Sequence, residues 1–419
     1  MTATTPDSFT PTPRVRWSWL WTQKRDLVWN LLPFWLGFAF VALLFATRSL
    51  GPTADNPGWH FSIAGREVQV TALMLLFYGP LVDAPHLWAT IARTYTDREE
   101  WATRRRLFLG SLLAFAIGPA IILLPYVISA VVPLPPNVLN WGWLFWLAAF
   151  GFYTIFHINR QHWGFIGLYK RKNGDSANAL ENRVDSLFFT PAIWLPYFAM
   201  FTAPWFLDLD GKPLTSMQIT VGSTTLGSLL HAACHVGFLV SVTGYVLFQV
   251  SQWRKGIARN GPKLVYLATI VTLYYVTFAL HPRIATFWVL ITGTGHCAQY
   301  HAIIWAYGRK KYAVKEAQKV SLPARIFGNV WLYITLGVIF GLVTMQGPGA
   351  RFFKNLVAGG LQTSIFSHAF AFLNPGAGFD LGIKVAAALV SGVRLHHFYV
   401  DSKIWRVSKS ADLAKNLSV

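Results

Sequence analysis

Apolar runs of about 20 residues recur along nearly the whole chain, and they limit its possible folds more than any other feature. The sequence of 419 residues is 54% hydrophobic and only 13% charged, whereas a soluble domain carries about 25% charged residues. The runs leave no room for a large soluble domain. The sequence therefore predicts an all-α integral membrane protein, a polytopic bundle of about ten transmembrane helices.

The predicted bundle occupies residues 26–405 as a single transmembrane domain. Residues 1–25 are polar and proline-containing and are expected to form a disordered cytoplasmic tail, and residues 406–419 form a second cytoplasmic tail. Residues 346–380 combine a short apolar piece with glycine and proline, so we expect a re-entrant or interfacial segment there. The predicted spans are residues 29–48, 68–94, 107–131, 139–165, 186–206, 226–250, 264–281, 284–306, 328–345 and 381–400.

The formal net charge of +19 comes from Lys and Arg that cluster in alternate short loops. This is the positive-inside pattern, and it predicts that both termini are cytoplasmic. It also explains the basic charge without nucleic-acid binding. We expect the protein to lie in the inner (plasma) membrane of a bacterium. Only two cysteines occur, Cys234 and Cys297, which argues against a disulfide framework and against a tetracysteine zinc site.

Histidines mark the candidate site, because ionisable side chains at membrane depth are costly and usually functional. Imidazole is also the commonest side-chain metal ligand. Every candidate lies on an even-numbered predicted span, so we expect all nine to bind metal at one site in the bundle, most of them in its cytoplasmic half and His231 and His235 nearer the middle or slightly outward of it. They are His86 in DAPHLWAT, His157 and His162 in FHINRQH, His231 and His235 in HAACH, His296 and His301 in GHCAQYH, and His396 and His397 in LHHF.

The spacing within the histidine sets supports this site in part. His231 and His235 are four residues apart, so they share a helix face and can chelate one ion. The pairs 157/162 and 296/301 are five residues apart, which is about 140° around an ideal helix. They reach one site only if the helix bends or carries a π-bulge, or if they bind different ions.

Several polar residues near the histidines are candidates for supporting roles. Asp83 and Asp401 would either bind the metal or orient an imidazole through a hydrogen bond, and Asn159, Gln161 and Tyr300 would do similar work. Three arginines, Arg93, Arg160 and Arg394, lie close to the histidines and would hold an anionic headgroup of a substrate. Snorkelling to the lipid interface is the alternative for these arginines. Arg160 is the best candidate because it falls between two proposed ligands.

The donor set limits the choice of metal. The glutamates all fall in predicted loops, which argues against a ferritin-like carboxylate di-iron centre. An all-imidazole environment suits iron, copper, zinc or nickel. Nine nitrogen donors exceed the needs of one ion, so we expect two.

The histidine boxes give a resemblance at the level of a family. The pairs His157–His162, His231–His235 and His296–His301, together with the His396–His397 doublet, resemble the boxes of the membrane-bound histidine-rich di-iron oxygenases, which include desaturases, hydroxylases and alkane monooxygenases. The family's H-x-x-HH boxes are missing. The resemblance implies two iron ions, oxygen activation and a hydrophobic, lipid-like substrate taken from the bilayer.

Two other function classes stay open. A haem-binding redox protein would use His86 and His397 as the two axial ligands. A proton- or metal-coupled transporter would line its path with the same histidines and with Asp83 and Asp401. An oxygenase needs an external electron donor, and the basic loops 98–106, 170–172 and 309–319 would dock an acidic ferredoxin or cytochrome.

Overall fold

The computed structural model describes residues 14–49, 58–63, 66–203, 218–281, 284–285, 287–312, 321–358, 381–407 and 410–417. Helices dominate these residues, and the predicted all-α class is confirmed. Strands within the described residues form only three short pairs. They are β1 (Val15–Arg16) with β6 (Arg259–Asn260), β2 (His60–Ile63) with β3 (Arg66–Gln69), and β4 (Thr220–Val221) with β5 (Thr224–Thr225).

Two of the helices contain a π-helical segment directly before a candidate ligand. In α2 the π segment is Gly79–Asp83, and in α9 it is Val289–Gly293. Such segments often occur at functional sites. The described helices are α1 (Gln23–Ala46), α2 (Val70–Tyr78, Gly79–Asp83 and Ala84–Thr94), α3 (Arg98–Ser129), α4 (Pro136–Leu139), α5 (Trp141–Lys172), α6 (Ala179–Thr202), α7 (Leu226–Arg254), α8 (Gly261–Ala279), α9 (Val289–Gly293 and Thr294–Lys311), α10 (Leu322–Gly328), α11 (Val330–Ala358), α12 (Leu381–Ile404) and α13 (Ala411–Leu417).

Six helices of the described chain are long and apolar enough to cross a membrane: α1, α3, α5, α6, α7 and α8. A seventh span is possible if α10 and Val330–Thr344, which meet at a bend of 106°, count as one. The spans expected at 68–94, 284–306 and 381–400 are helical but fall outside this set. Polar residues, among them the histidines, lower the apolar content of α9 and α12. An integral membrane protein is therefore supported, whereas the count of ten and the cytoplasmic termini stay predictions.

Close approach of backbones fixes α2 and α9, the two helices with a π segment before a candidate ligand. A Cβ atom added at Gly37 of α1 would lie 2.0 Å from the carbonyl oxygen of Leu290 in α9. A Cβ atom added at Gly341 of α11 would lie 2.1 Å from the carbonyl oxygen of Pro80 in α2. Only glycine fits at either contact, because any side chain would overlap the neighbouring backbone.

Both segments that were expected to be tails contain secondary structure in the described chain. Residues 14–25, expected to be disordered, include β1, and the backbone N–H of Leu20 donates to Asp26 Oδ2 at 2.8 Å. Residues 1–13 lie outside the described residues. The C-terminal tail contains α13, which packs on α9. Of the expected re-entrant segment, residues 346–358 continue α11, and residues 359–380 lie outside the described residues.

A polar contact ties the loop between α2 and α3 to the end of α9. Lys311 Nζ donates to Asp97 Oδ2 at 2.7 Å, and the hydroxyl of Tyr312 donates to the same oxygen. Burial raises the pKa of Asp97, but these two donors outweigh it and hold the pKa below its usual range. Lys311 belongs to the basic segment expected to dock an electron donor, and its ammonium is already paired within the protein.

A buried network of charges joins α5, α6 and α8. Lys263 Nζ, which is fully buried, lies 2.5 Å from Glu181 Oε1 and 3.0 Å from Asp185 Oδ1. Lys170 Nζ reaches Asp185 at 2.5 Å, and Arg259 reaches Glu181 at 2.6 Å. Two cations from outside α6 thus bind each of its carboxylates, which fixes α6 against its neighbours.

Lys263→Met should destabilise the protein strongly, because it leaves two buried carboxylates short of one cation. Breaking a buried ion pair costs about 3–5 kcal/mol. The free energy of unfolding of the purified protein in detergent would measure this loss. Lys255→Met is the matched control, because Lys255 is exposed, and it should change the stability by less than about 0.5 kcal/mol. Equal effects of the two substitutions would contradict a stabilising role for the network.

Candidate metal centre

One histidine from each of four helices meets at the centre of the bundle. His86 of α2, His157 of α5, His296 of α9 and His397 of α12 form this histidine quartet, and each is at most 7% exposed. The ring centroids of His86 lie 5.2 Å from His296 and 4.8 Å from His397, and those of His157 lie 5.1 Å from His296 and 4.9 Å from His397. The four rings therefore close into a cycle.

Each quartet ring has one buried nitrogen without a hydrogen-bond partner among the described residues. These atoms are Nε2 of His86, His157 and His397 and Nδ1 of His296. Buried polar atoms are nearly always paired, so four such nitrogens in one place could bind a metal ion. The donor nitrogens of His86, His296 and His397 all lie within 4.8 Å of one another.

The quartet has dimensions that fit a metal ion. A metal–imidazole bond is about 2.0–2.1 Å long, which places each ring centroid about 3.2 Å from the ion. Two such ligands on one ion place their centroids about 4.5 Å apart at a 90° angle and about 5.2 Å apart at a tetrahedral angle, and neighbouring rings of the quartet lie 4.8–5.2 Å apart. Neighbouring rings could therefore share a metal ion, and His86, His296 and His397 form one set that could hold it.

Hydrogen bonds behind His397 fix the orientation of its ring. With Nε2 directed at the quartet, the Nδ1–H donates to Thr90 Oγ1 at 2.6 Å. The Thr90 hydroxyl donates to Asp401 Oδ1 at 3.3 Å, and the Tyr300 hydroxyl donates to the same oxygen. A carboxylate behind a ligating imidazole holds the ring in the correct tautomer. Asp401 acts here partly through Thr90, and its Oδ2 also lies 3.9 Å from His397 Nε2.

A second carboxylate lies behind His86. Asp83 Oδ1 is 3.5 Å from His86 Nδ1, and Arg394 Nε donates to Asp83 Oδ2 at 2.8 Å. Cys297 Sγ is 3.3 Å from the same nitrogen of His86. The expected role of Arg394 in substrate binding is therefore corrected, because its guanidinium holds Asp83. Sequence reasoning missed Thr90 and Cys297 as contacts of the ligands, although Cys297 directly follows His296.

The structure separates the members of three histidine sets. His162 Nδ1 lies 2.9 Å from the hydroxyl of Tyr266, and His301 Nδ1 lies 2.8 Å from the hydroxyl of Tyr333. His162 and His301 each lie five residues after a quartet member in an unbroken α-helix. Five residues correspond to about 140° of rotation around the helix axis, so these two side chains point away from the quartet. His396 bonds instead to the hydroxyl of Tyr95 at 2.6 Å. The expectation that all nine histidines share one site is therefore wrong.

One further expected site residue has structural contacts instead. Arg93 is 1% exposed, lies over the rings of Trp405 and Tyr307, and donates to the carbonyl of Ile404. It therefore does not hold a headgroup at the surface.

Two expected supporting residues lie on α5, and of these only Gln161 has a hydrogen-bond partner among the described residues. Gln161 Nε2 donates to the carbonyl of His296 at 2.9 Å, so it supports the backbone of a quartet ligand. Asn159 is buried, and neither atom of its amide has a hydrogen-bond partner among the described residues.

A cavity of about 450 Å³ opens beside the quartet between α5, α9, α12 and α13. His157 and Asp401 form part of its wall, and most of the remaining lining is apolar or aromatic. Arg160 also lines it, is exposed, and makes no hydrogen bond or ion pair within the described residues. The lining residues are Tyr153, Phe156, His157, Arg160, Gln161, Trp163, Gly164, Phe165, Leu168, Tyr300, Ile303, Phe398, Asp401, Ser402, Trp405, Arg406, Val407 and Leu417.

Comparison with known proteins adds no relative. No protein-family model, curated protein or solved structure matches the chain. The likeness to histidine-rich di-iron oxygenases therefore stays a prediction. The boxes at 157/162 and 296/301 also do not act as units, because only the first histidine of each box lies in the quartet and the second contacts a tyrosine hydroxyl.

Metal content at the quartet should depend on one member of the sets at 296/301 and 396/397 and not on the other. His296→Ala and His397→Ala remove quartet nitrogens, so each should lose most of the bound metal. His301→Ala and His396→Ala are matched controls on the same helices and should keep it. Inductively coupled plasma mass spectrometry of the purified proteins measures the metal. Undiminished metal in both quartet variants would contradict the site.

Proposed function

We propose that the protein is a metal-dependent membrane oxidoreductase that acts on a hydrophobic substrate held in the cavity beside the quartet. The observation that carries this proposal is the position of His157. Its ring belongs to the quartet and also forms part of the cavity wall. A molecule in the cavity would therefore lie directly beside a bound ion. The aromatic and aliphatic lining favours a substrate with a long apolar body.

Iron is the metal we propose for the quartet. Four neutral imidazoles suit iron, copper or zinc, and of these iron and copper support redox chemistry. Bound iron would supply the activation of dioxygen for attack on a C–H or C=C bond. A second ion would have to share ligands with the first, either His157 and His397 together with Asp401 or His86 together with Asp83 and Cys297.

The protein's own residues would control protons at the wall of the cavity. Tyr300 and Asp401 both line it, and the Tyr300 hydroxyl donates to the Asp401 carboxylate. Thr90 Oγ1 lies 2.5 Å from the Tyr300 hydroxyl and connects this pair to His397. A proton held at Tyr300 could thus pass to a substrate oxygen, while Asp401 retains the orientation of the ligand.

The proposed reaction also needs a group that orients the substrate and a source of electrons. The unpaired guanidinium of Arg160 would hold an anionic headgroup, such as a carboxylate or phosphate, at the cavity wall. Reduction of dioxygen with insertion of one oxygen atom, or with removal of two hydrogens, needs two electrons from outside. A soluble cytoplasmic donor of the ferredoxin class would supply them, because the chain contains no flavin or iron–sulfur motif.

The geometry is less favourable to haem, and experiments separate the transporter class. Axial haem ligands on opposite faces place their ring centroids about 6.4 Å apart, whereas those of His86 and His397 are 4.8 Å apart. A transporter would leave the quartet free of tightly bound metal. A Soret band would favour haem, and ion flux by metal-free protein would favour transport.

Oxidation of lipid-like molecules should depend on the quartet. Cells that express the protein under isotopically heavy oxygen should accumulate lipid-derived products that carry the heavy atom or lack two hydrogens. Mass spectrometry of lipid extracts measures both. His296→Ala should abolish these products, whereas the control His301→Ala should retain them. Extracts that do not differ between wild type and empty cells would contradict the oxidoreductase proposal.

Filling the cavity should block the reaction without removing the metal. Gly164 lines the cavity, and a Cβ atom added there meets nothing within 4 Å. Gly164→Phe should therefore project a ring into the space that the substrate needs, so we expect product formation to fall at least about tenfold with normal metal content.

The matched control for this substitution is Gly167→Phe. Gly167 is also exposed on α5 and also has no atom within 4 Å of an added Cβ, but it does not line the cavity. It should keep the activity of the wild type. If both variants stay fully active, the cavity is not the substrate site.

A further inference from the structure

A separate pair of histidines lies on α7, a helix that contributes nothing to the quartet. His231 Nε2 and His235 Nε2 are 3.1 Å apart, and the ring centroids are 4.5 Å apart. The spacing of four residues places both rings on one face of the helix. Both side chains are half-buried against α6 and α8. The two outer nitrogens face away from each other, and the two inner nitrogens converge.

The outer nitrogens are held by one partner each. His231 Nδ1 lies 3.0 Å from the carbonyl oxygen of Ala199 in α6. A carbonyl only accepts, so this nitrogen carries the hydrogen and His231 Nε2 presents a lone pair. His235 Nδ1 lies 2.9 Å from the hydroxyl of Tyr275 in α8. That hydroxyl can either donate or accept, so His235 can take either tautomer.

We propose that His231 and His235 form a second metal site, which chelates one divalent transition-metal ion and prefers copper(II). Two nitrogens that bind adjacent positions of one ion, with bonds of about 2.0–2.1 Å, lie about 2.9–3.4 Å apart. The observed 3.1 Å already meets this requirement. Neutral imidazoles bind copper(II) more strongly than zinc or nickel. The remaining positions on the ion are left for water or a small soluble ligand.

Binding at this site requires a change of tautomer in one ring only. Without an ion, Tyr275 donates to His235 Nδ1, and the His235 Nε2–H donates to the lone pair of His231. With an ion, the hydrogen moves to His235 Nδ1 and donates to Tyr275, and both Nε2 lone pairs bind the ion. No proton is gained or lost, so binding at this site should release none at neutral pH.

The pair lies in the half of α7 that begins at Leu226. His231 is five residues after Leu226, where α7 begins, and Ala199 is three residues before Thr202, where α6 ends. The predicted topology places this end on the non-cytoplasmic side. An ion at this site would therefore arrive from the side opposite to the proposed electron donor.

Copper(II) titration of the purified full-length protein, followed by electron paramagnetic resonance, tests the second site. The wild type should show a copper signal with coupling to two nitrogens. His235→Ala should bind one equivalent less and lose that signal. Tyr275→Phe keeps both imidazoles and should retain it, which controls for packing around the pair. His296→Ala should also retain it, because the pair does not depend on the quartet.

Two results would overturn the second site. One is a wild-type spectrum without nitrogen coupling at any copper loading, which needs no variant and so does not depend on correct folding of a mutant. The other is equal copper binding with an identical spectrum in the wild type, His231→Ala and His235→Ala. Neither result bears on the quartet, whose test is the metal content of His296→Ala and His397→Ala.

Discussion

Four lone pairs that face one another in an apolar interior are the constraint on which the rest of this bundle depends. Imidazole nitrogens do not collect at the centre of a helical bundle without a partner, because a buried unpaired polar atom costs about 1–3 kcal/mol. An ion at the quartet would satisfy all four atoms at once. It would also link α2, α5, α9 and α12, which are far apart in sequence, into one unit.

The surroundings of the quartet hold its rings in the orientation that a metal needs. Asp401 holds His397 through Thr90, and Asp83 lies 3.5 Å from His86 Nδ1. Close backbone contacts at Gly37 and Gly341 hold α9 and α2, which carry His296 and His86. Side-chain hydrogen bonds thus orient the ligand rings, and helix packing fixes the helices that carry them.

The fold class and the type of site could be predicted from the sequence, because they depend on local patterns. Apolar runs indicated the helices, and histidines within them indicated the buried polar site. The choice of ligand could not be predicted within each set, because it depends on how each helix is rotated about its axis. His157 and His162 look equivalent in the sequence, yet only the contacts of α5 with its neighbours decide that His157 faces the centre.

The low apolar content of two ligand-bearing helices, α9 and α12, has a consequence for how the protein is made. Insertion of a helix from the translocon depends on its own hydrophobicity, and central histidine, aspartate or arginine residues oppose it. Helices α9 and α12, which carry two of the four quartet ligands, are not among the described helices that are apolar enough to cross a membrane alone. Their entry into the bilayer would need the more apolar helices to be present as partners. The quartet would then be assembled only after insertion is complete, so loading of metal would be the last step of maturation.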